Sequence, residues 1–239
     1  TQYYGDDVKK MFGHPICTGD TATKILWIKN HEPEVYEKTY KFLTGSSYLT
    51  AKLTGKYVID QFLAKGSFRP LYNRDGTINT ENCKLYCRPD QIAECAYSFE
   101  IAGTVTEEAA KESGLKAGTP VIVGTGDSTA EAISVGLVES GTVFFQYGSS
   151  MFYYYCVDRY VDDYVSANGN GSLKGGKEFT IPGTFCIGDG TNAAGTLTRW
   201  VRDTFYEEEL KKERAGGENA YAVMAREAAE VEAGSEGLI

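Results

Sequence analysis

Long apolar runs are missing from this chain. The longest uninterrupted apolar or aromatic stretch is Met151 to Val157, with tyrosine at 153, 154 and 155. It is far too short to span a bilayer and reads as a strand. Basic residues are also scarce. Lys plus Arg total 24 against 33 Asp plus Glu, a net charge of −9, and basic runs never exceed pairs. Proteins that coat nucleic acid or anionic membrane need basic surface, so neither partner is expected. Histidine is limited to His14 and His31. The six cysteines, at 17, 83, 87, 95, 156 and 186, lack the paired CxxC spacing of a zinc site. Cys83, Cys87 and Cys95 offer three ligands where zinc takes four, so no metal site is expected and the thiols read as reduced, in a cytoplasmic protein. No initiator Met, basic leader or apolar h-region opens the chain. It ends on an apolar Gly237-Leu238-Ile239 and reads as an excised piece of a longer protein.

The 239 residues, 42% of them hydrophobic, suffice for a sizeable core in one or two domains. Lys24 to Phe42 reads as helices broken at Glu32-Pro33, a helix-start signal. Tyr48 to Leu53 is a short helix stopped at Gly55. Phe68 to Asn82 is a polar loop with an Asp75-Gly76 turn, and Pro89 to Ala96 a further helical stretch. Ile101 to Val105 is a strand. Thr106 caps a helix with Glu107 and Glu108 in its first turn, and Gly114 ends it. The β-branched run Thr119 to Val123 reads as a buried parallel strand. It breaks at Gly124-Thr125-Gly126-Asp127, and a helix from Ser128 to about Leu137 follows, with Ala130, Ile133 and Leu137 on one face.

At Ser140-Gly141 the pattern changes to consecutive strands, which places a domain boundary there: residues 1–139, then 140–239. Thr142 to Tyr147 and Phe152 to Val157 form a hairpin through Gly148-Ser149-Ser150. A polar, glycine-rich stretch spans Ser166 to Lys177. Glu178 to Ile187 is a third strand interrupted at Pro182-Gly183, Gly188-Asp189-Gly190 a turn, and Ala193 to Phe205 and Glu218 to Val231 are helices.

The junction at Gly126-Asp127 is the sharpest chemical feature. Glycines let the backbone turn tightly, and a helix N-terminus presents free N–H groups. A carboxylate there can take a proton from a hydroxyl, or simply N-cap its helix. A P-loop is excluded because no Lys lies between Lys116 and Lys174. A Rossmann fingerprint is excluded by Thr129 where the third glycine belongs. Gly126-Asp127-Ser128-Thr129-Ala130 approaches the G-x-S-x-G elbow, with Ser128 as a hydrolase nucleophile. Such hydrolases place their histidine downstream, and both histidines precede Ser128. Gly148-Ser149-Ser150 can bind phosphate through N–H and O–H groups, or serve as an ordinary turn. Gly188-x-Gly190 and Gly195 permit close packing or admit a nucleotide. Arg199 and Arg202 read as solvated charges, and Tyr153 to Tyr155 as sheet faces.

Taken in order, several segments resemble the FGGY family of carbohydrate kinases. They are Lys24-Ile-Leu-Trp27 with His31-Glu-Pro-Glu34, Ser47-Tyr48-Leu49 with Lys52-Leu53-Thr54-Gly55, and Gly103-x-Val105-Thr106-x-x-Ala109-Ala110. Gly114-Leu115-x-x-Gly118-Thr119-Pro120-Val121, Gly126-Asp127, Gly148-Ser149-Ser150, Ala194-Gly195-x-x-x-x-Trp200 and Gly234-Ser235-Glu236-Gly237-Leu238 follow. The resemblance implies an α/β, two-domain sugar kinase of the ribonuclease-H-like, actin/hexokinase type, incomplete at both ends. It implies ATP-dependent phosphorylation of a sugar hydroxyl, a ketopentose such as xylulose, with Mg²⁺. Asp127 matches the family's general base. Gly148 and Ser149 match its phosphate turn, with Ser150 beside them, and Gly195 and Arg199 match positions lining the nucleotide. The family's opening Asp-x-Gly-Thr hairpin is not in this sequence. The missing strands leave sheet edges open, so self-association into a homo-oligomer is expected. The alternatives are a non-catalytic sugar- or nucleotide-binding relative, disfavoured by the presence of Asp127, and the hydrolase using Ser128.

Overall fold

The computed structural model describes residues 11–12, 16, 19–161 and 177–237. The glycine-rich stretch from Ser166 therefore lies outside the described residues up to Lys177. The chain divides into two compact units, Thr1–Phe144 with Tyr154–Asp189, and Phe145–Tyr153 with Gly190–Ile239.

The first unit opens with helices α1 (Thr21–His31) and α2 (Pro33–Lys38), divided at Glu32-Pro33 as expected. Helix α3 (Gly45–Thr54) starts on a Thr44 cap, whose hydroxyl accepts from the Ser47 N–H at 3.1 Å. It stops at Gly55, which takes a left-handed conformation at φ 71° that lets the last carbonyls be capped. Strand β1 (Val58–Asp60) leads directly into a five-residue helix α4 (Gln61–Lys65). Helix α5 (Thr80–Tyr86) takes over the end of the expected polar loop, capped by Asn79.

The expected helix over Pro89 to Ala96 is only a 3₁₀ turn at Pro89–Gln91, followed by strand β2 (Glu94–Ala96). The cause is tertiary. Strand β2 pairs in parallel with β1, Ile59 facing Cys95, and that ladder overrides local helical preference.

Strands β3 (Ile101–Thr104) and β4 (Pro120–Ile122) flank helix α6 (Glu107–Ser113), which Thr106 caps and Gly114 ends. The parallel, buried strand expected over 119–123 is corrected. β4 pairs antiparallel with β3 in a two-stranded ladder, and Pro120 and Ile122 are exposed. Only Val123, just past the strand, is buried, because a short hairpin-like pair covers one face at most. Helix α3 packs against β1, β3, β4 and α6 and so bridges the two small sheets.

Helix α7 (Asp127–Ser134) is shorter than expected, and Thr129 and Ala132 carry its buried face while Ala130 is exposed. Leu137 is buried beyond the helix end. Strands β5 (Val143–Tyr147), β6 (Met151–Val157), β7 (Lys177–Glu178) and β8 (Phe185–Thr191) form a sheet in the order β5-β6-β8-β7. Gly188-Asp189-Gly190 lies within β8 and is not a turn. A Cβ on Gly190 would approach the Met151 carbonyl oxygen to 2.5 Å, so glycine there reflects close strand packing.

Two cores lie in the first unit. Phe12, Ile25, Ile59, Leu71, Tyr86 and Ile92 anchor one, in which Cys83 and Cys87 are buried free thiols. Phe62, Ala132, Leu137, Cys156, Phe179 and Cys186 form the other. In the second unit, helices α8 (Gly195–Phe205), α9 (Glu207–Arg214) and α10 (Ala220–Ala228) pack together. Helix α9 was not expected from the sequence, although Glu207 to Glu209 in its first turn and Lys211, Lys212 and Arg214 in its last suit the helix dipole. Arg202 pairs with Asp203 and lies 4.8 Å from the Tyr221 ring centroid, so it is not a simple solvated charge. No helix among the described residues is long and apolar enough to cross a membrane.

Candidate active site

The first unit presents Asp127 from a junction built by backbone pairing. Beyond β4, the Val123 and Gly124 N–H groups donate to Glu100 and Ser98 carbonyls at 2.9 Å each. The Thr50 hydroxyl of α3 donates to the Val123 carbonyl at 3.2 Å. Gly126 occupies the cap position of α7, and its carbonyl accepts from the Ala130 N–H at 3.0 Å. A Cβ on Gly126 would come within 3.3 Å of Leu63 Cδ2, so the loop lies close on α4.

Asp127 is the first residue of α7 rather than its cap, and it is exposed. Among the described residues its Oδ1 accepts from the adjacent Ser128 N–H alone, at 2.8 Å. The capping alternative is therefore not what this side chain does. A carboxylate suits the positive end of a helix, and an exposed one is free to meet a hydroxyl.

Ser128 Oγ lies 3.1 Å from the Tyr154 hydroxyl. Burial raises the Tyr154 phenol above its usual range, so it stays neutral and is no base. His31 stacks on Trp27 at 4.8 Å and its Nδ1 lies 2.9 Å from the Trp27 carbonyl. His14 lies outside the described residues. The serine-hydrolase arrangement is thus not assembled among the described residues.

Sequence reasoning missed Asp60, at the end of β1. It is 2% exposed, and its Oδ1 accepts from the Phe62 N–H (3.1 Å), the Leu63 N–H (3.3 Å) and the Thr125 hydroxyl (3.2 Å). Oδ2 is buried with no hydrogen-bond partner among the described residues. Burial pushes this carboxyl up to about 6, against the hydrogen bonds from Leu63, Thr125 and Phe62 that favour the charge. The available signal was an Asp between a short apolar strand and Gln-Phe-Leu, a plain helix-start pattern.

In the second unit, the Gly148–Ser150 turn and the start of α8 are locked together. The N–H groups of Gly195 and Ala194 donate to the Gly148 and Ser149 carbonyls, each at 2.9 Å. Thr196 adds its hydroxyl to the Ser149 carbonyl at 3.0 Å. A Cβ on Gly195 would stand 2.8 Å from the Gly148 oxygen, so only glycine fits. Ser149 and Ser150 are exposed, and the Ser149 amide and hydroxyl make no hydrogen bond among the described residues. Arg199 stands one helical turn past Gly195 and is exposed. The structure thus brings Gly148, Ser149, Ser150 and Gly195 together, with Arg199 on the same helix. Phe145 and Tyr153 pair as rings at 5.8 Å, while Tyr154 is turned towards the second core, consistent with alternating sheet faces.

A cavity of about 330 Å³ in the first unit is lined by Lys65, Arg69, Arg74, Tyr160 and Glu178 among others, and by no residue of the 124–128 junction. Its charges are already engaged. Lys65 pairs with Glu178 at 2.5 Å, Arg69 donates to the Lys65 carbonyl, and Arg74 covers Tyr160.

Residues 1–134 match the model of the FGGY family of carbohydrate kinases, N-terminal domain. The chain belongs to the FGGY family. It is 30% identical over 221 residues to the autoinducer-2 kinase of Klebsiella pneumoniae, covering 90% of this chain and 40% of that protein. It is 27% identical over 240 residues to the gluconokinase of Bacillus subtilis, covering 98% of this chain and 44% of that protein. The crystal structure of xylulose kinase from Rhodospirillum rubrum superposes with a TM-score of 0.76 at 26% identity, over 96% of this chain and 44% of that one. The chain therefore spans less than half the length of these relatives, and its fold is part of the ribonuclease-H-like, actin/hexokinase-type fold of the FGGY sugar kinases.

Proposed function

We propose that the protein carrying this FGGY chain transfers the terminal phosphoryl group of ATP to a sugar hydroxyl, with Asp127 as the general base. The observation that carries this reading is the exposed carboxylate at the first residue of α7, on a junction pinned by α3, by the carbonyls of Ser98 and Glu100, and by α4. Asp127 would accept the proton as the hydroxyl attacks, which raises the oxygen's nucleophilicity without a covalent intermediate. The turn at Gly148, Ser149 and Ser150 offers unspent N–H and O–H donors to phosphate oxygens, and Gly195 lets that turn sit directly on α8. Arg199 adds positive charge one turn along.

Bound with the nucleotide, Mg²⁺ would neutralise phosphate charge. Among the described residues no group of three His, Cys, Asp or Glu side chains comes together.

The substrate we favour is a ketopentose such as xylulose, supported by the likeness to the R. rubrum enzyme; gluconate and autoinducer-2 are the competing substrates among the relatives. The match of the N-terminal family model up to residue 134 supports a domain boundary near Ser140. The test is a panel of these compounds with ATP on the complete protein, alongside its Asp127→Ala variant. Turnover is expected to fall by about 10² to 10⁴ in the variant. Undiminished phosphorylation there would remove Asp127 from the mechanism, and no phosphorylation of any sugar by the wild type would remove the kinase reading.

A further inference from the structure

We propose that Asp60 is a positioning residue, whose buried carboxylate clamps the Gly124–Gly126 loop onto the start of α4 through Thr125 and so fixes where Asp127 stands. This rests on the reading of Asp127 as the base.

The bond from the Thr125 hydroxyl to Asp60 Oδ1 joins positions 65 residues apart in sequence. It connects the β1–α4 junction to the β4–α7 junction, and Thr125 precedes Asp127 by a single glycine. A second contact lies beside the first. Leu63, one of the two residues whose N–H groups Asp60 caps, lies beneath Gly126 so closely that a Cβ there would stand 3.3 Å away. The loop is therefore held by a polar tie and an apolar seat, both at the β1–α4 junction.

Helix capping alone does not account for a carboxylate at position 60. Asn or Ser caps as well and carries no charge into the interior. Here the charge is buried, one oxygen lacks a partner among the described residues, and the proton is held up to about 6. What an ionised oxygen adds is a stronger acceptor for several donors at once. Two of the three donors belong to the cap, and the third is Thr125. One glycine separates Thr125 from Asp127, so what holds Thr125 bears directly on where Asp127 stands.

The test is steady-state kinetics on the complete protein with Thr125→Val, which removes the hydroxyl but leaves the α4 cap intact. A base displaced by about an ångström costs up to about a hundredfold. We expect kcat to fall about ten- to hundredfold at temperatures where the variant is folded, with KM for ATP and sugar within about twofold of wild type. Thr125→Ser restores most of the turnover. Asp60→Ala lowers kcat at least as much, and adding Thr125→Val to it costs nothing further, because both changes remove the same bond. A folded Thr125→Val protein with wild-type kcat overturns the clamp, as does a double variant whose losses multiply. Asp127→Asn, run in parallel, separates the two readings. Turnover lost there but kept in Thr125→Val sinks the clamp and spares the base. Turnover kept in Asp127→Asn sinks the base and the clamp's catalytic role with it.

Discussion

A carboxyl that is almost wholly buried, with one oxygen unpartnered among the described residues, makes the fold sensitive to pH at a single residue. Asp60 releases its proton near 3.8 when exposed and near about 6 in the fold, chiefly because burial disfavours the charge. Below about 4 both the folded and unfolded chains hold that proton, and Asp60 adds no pH dependence. Between about 4 and 6 the unfolded chain loses it first, so stability falls as pH rises. Above about 6 the loss is complete, at about 3 kcal/mol for a shift of this size. Asn caps a helix as well and does not titrate. The stability difference between wild type and Asp60→Asn is therefore expected to change across pH 4 to 6 and to be flat above it. Urea denaturation across that range measures it, and parallel curves for the two proteins would show that Asp60 ionises freely in the fold.

At the scale of elements, α8 and the 148–150 turn behave as one piece. Three N–H groups at the start of the helix, those of Ala194, Gly195 and Thr196, turn back to the carbonyls of Gly148 and Ser149. The turn's own amide at exposed Ser149 makes no hydrogen bond among the described residues. Helix α8 has no side-chain cap, so the turn carbonyls replace one. Gly195→Ala places a methyl group 2.8 Å from a backbone oxygen and forces turn and helix apart. Overpacking of this kind costs about 1–3 kcal/mol. If the turn binds the nucleotide, that loss is read as a rise of about ten- to hundredfold in KM for ATP, with KM for the sugar unchanged. An unchanged KM for ATP in folded Gly195→Ala protein places the phosphates elsewhere.

For the whole molecule, the second unit is the less self-sufficient. Among its described residues Ala220 is the one fully buried apolar side chain, whereas Tyr147 is 78% exposed, Phe205 67% and Phe145 62%. Exposed apolar groups of this size mark surface that ordinarily meets another surface. The 239-residue chain expressed alone is expected to self-associate, and light scattering coupled to gel filtration reads its mass directly. A strictly monomeric chain at every concentration tested would contradict this.

Local chemistry by itself determined several of the helices and the strand–helix junction at Gly126-Asp127. The Glu32-Pro33 break, the Thr54-Gly55 stop and the Thr106 to Gly114 helix follow from caps and glycines a few residues apart. A glycine-bounded turn between a β-branched run and an apolar-faced helix is equally local, so the place of Asp127 at the start of a helix was legible without coordinates. The small strands were not. Glu94 to Ala96 is a strand only because Val58 to Asp60 lies beside it, and β4 is antiparallel because β3 is its partner. Asp60 in sequence is one more helix cap, and its third donor reaches it from 65 residues away. Hydrogen bonds between distant segments, and the burial that sets their strength, exist only once the chain has closed on itself.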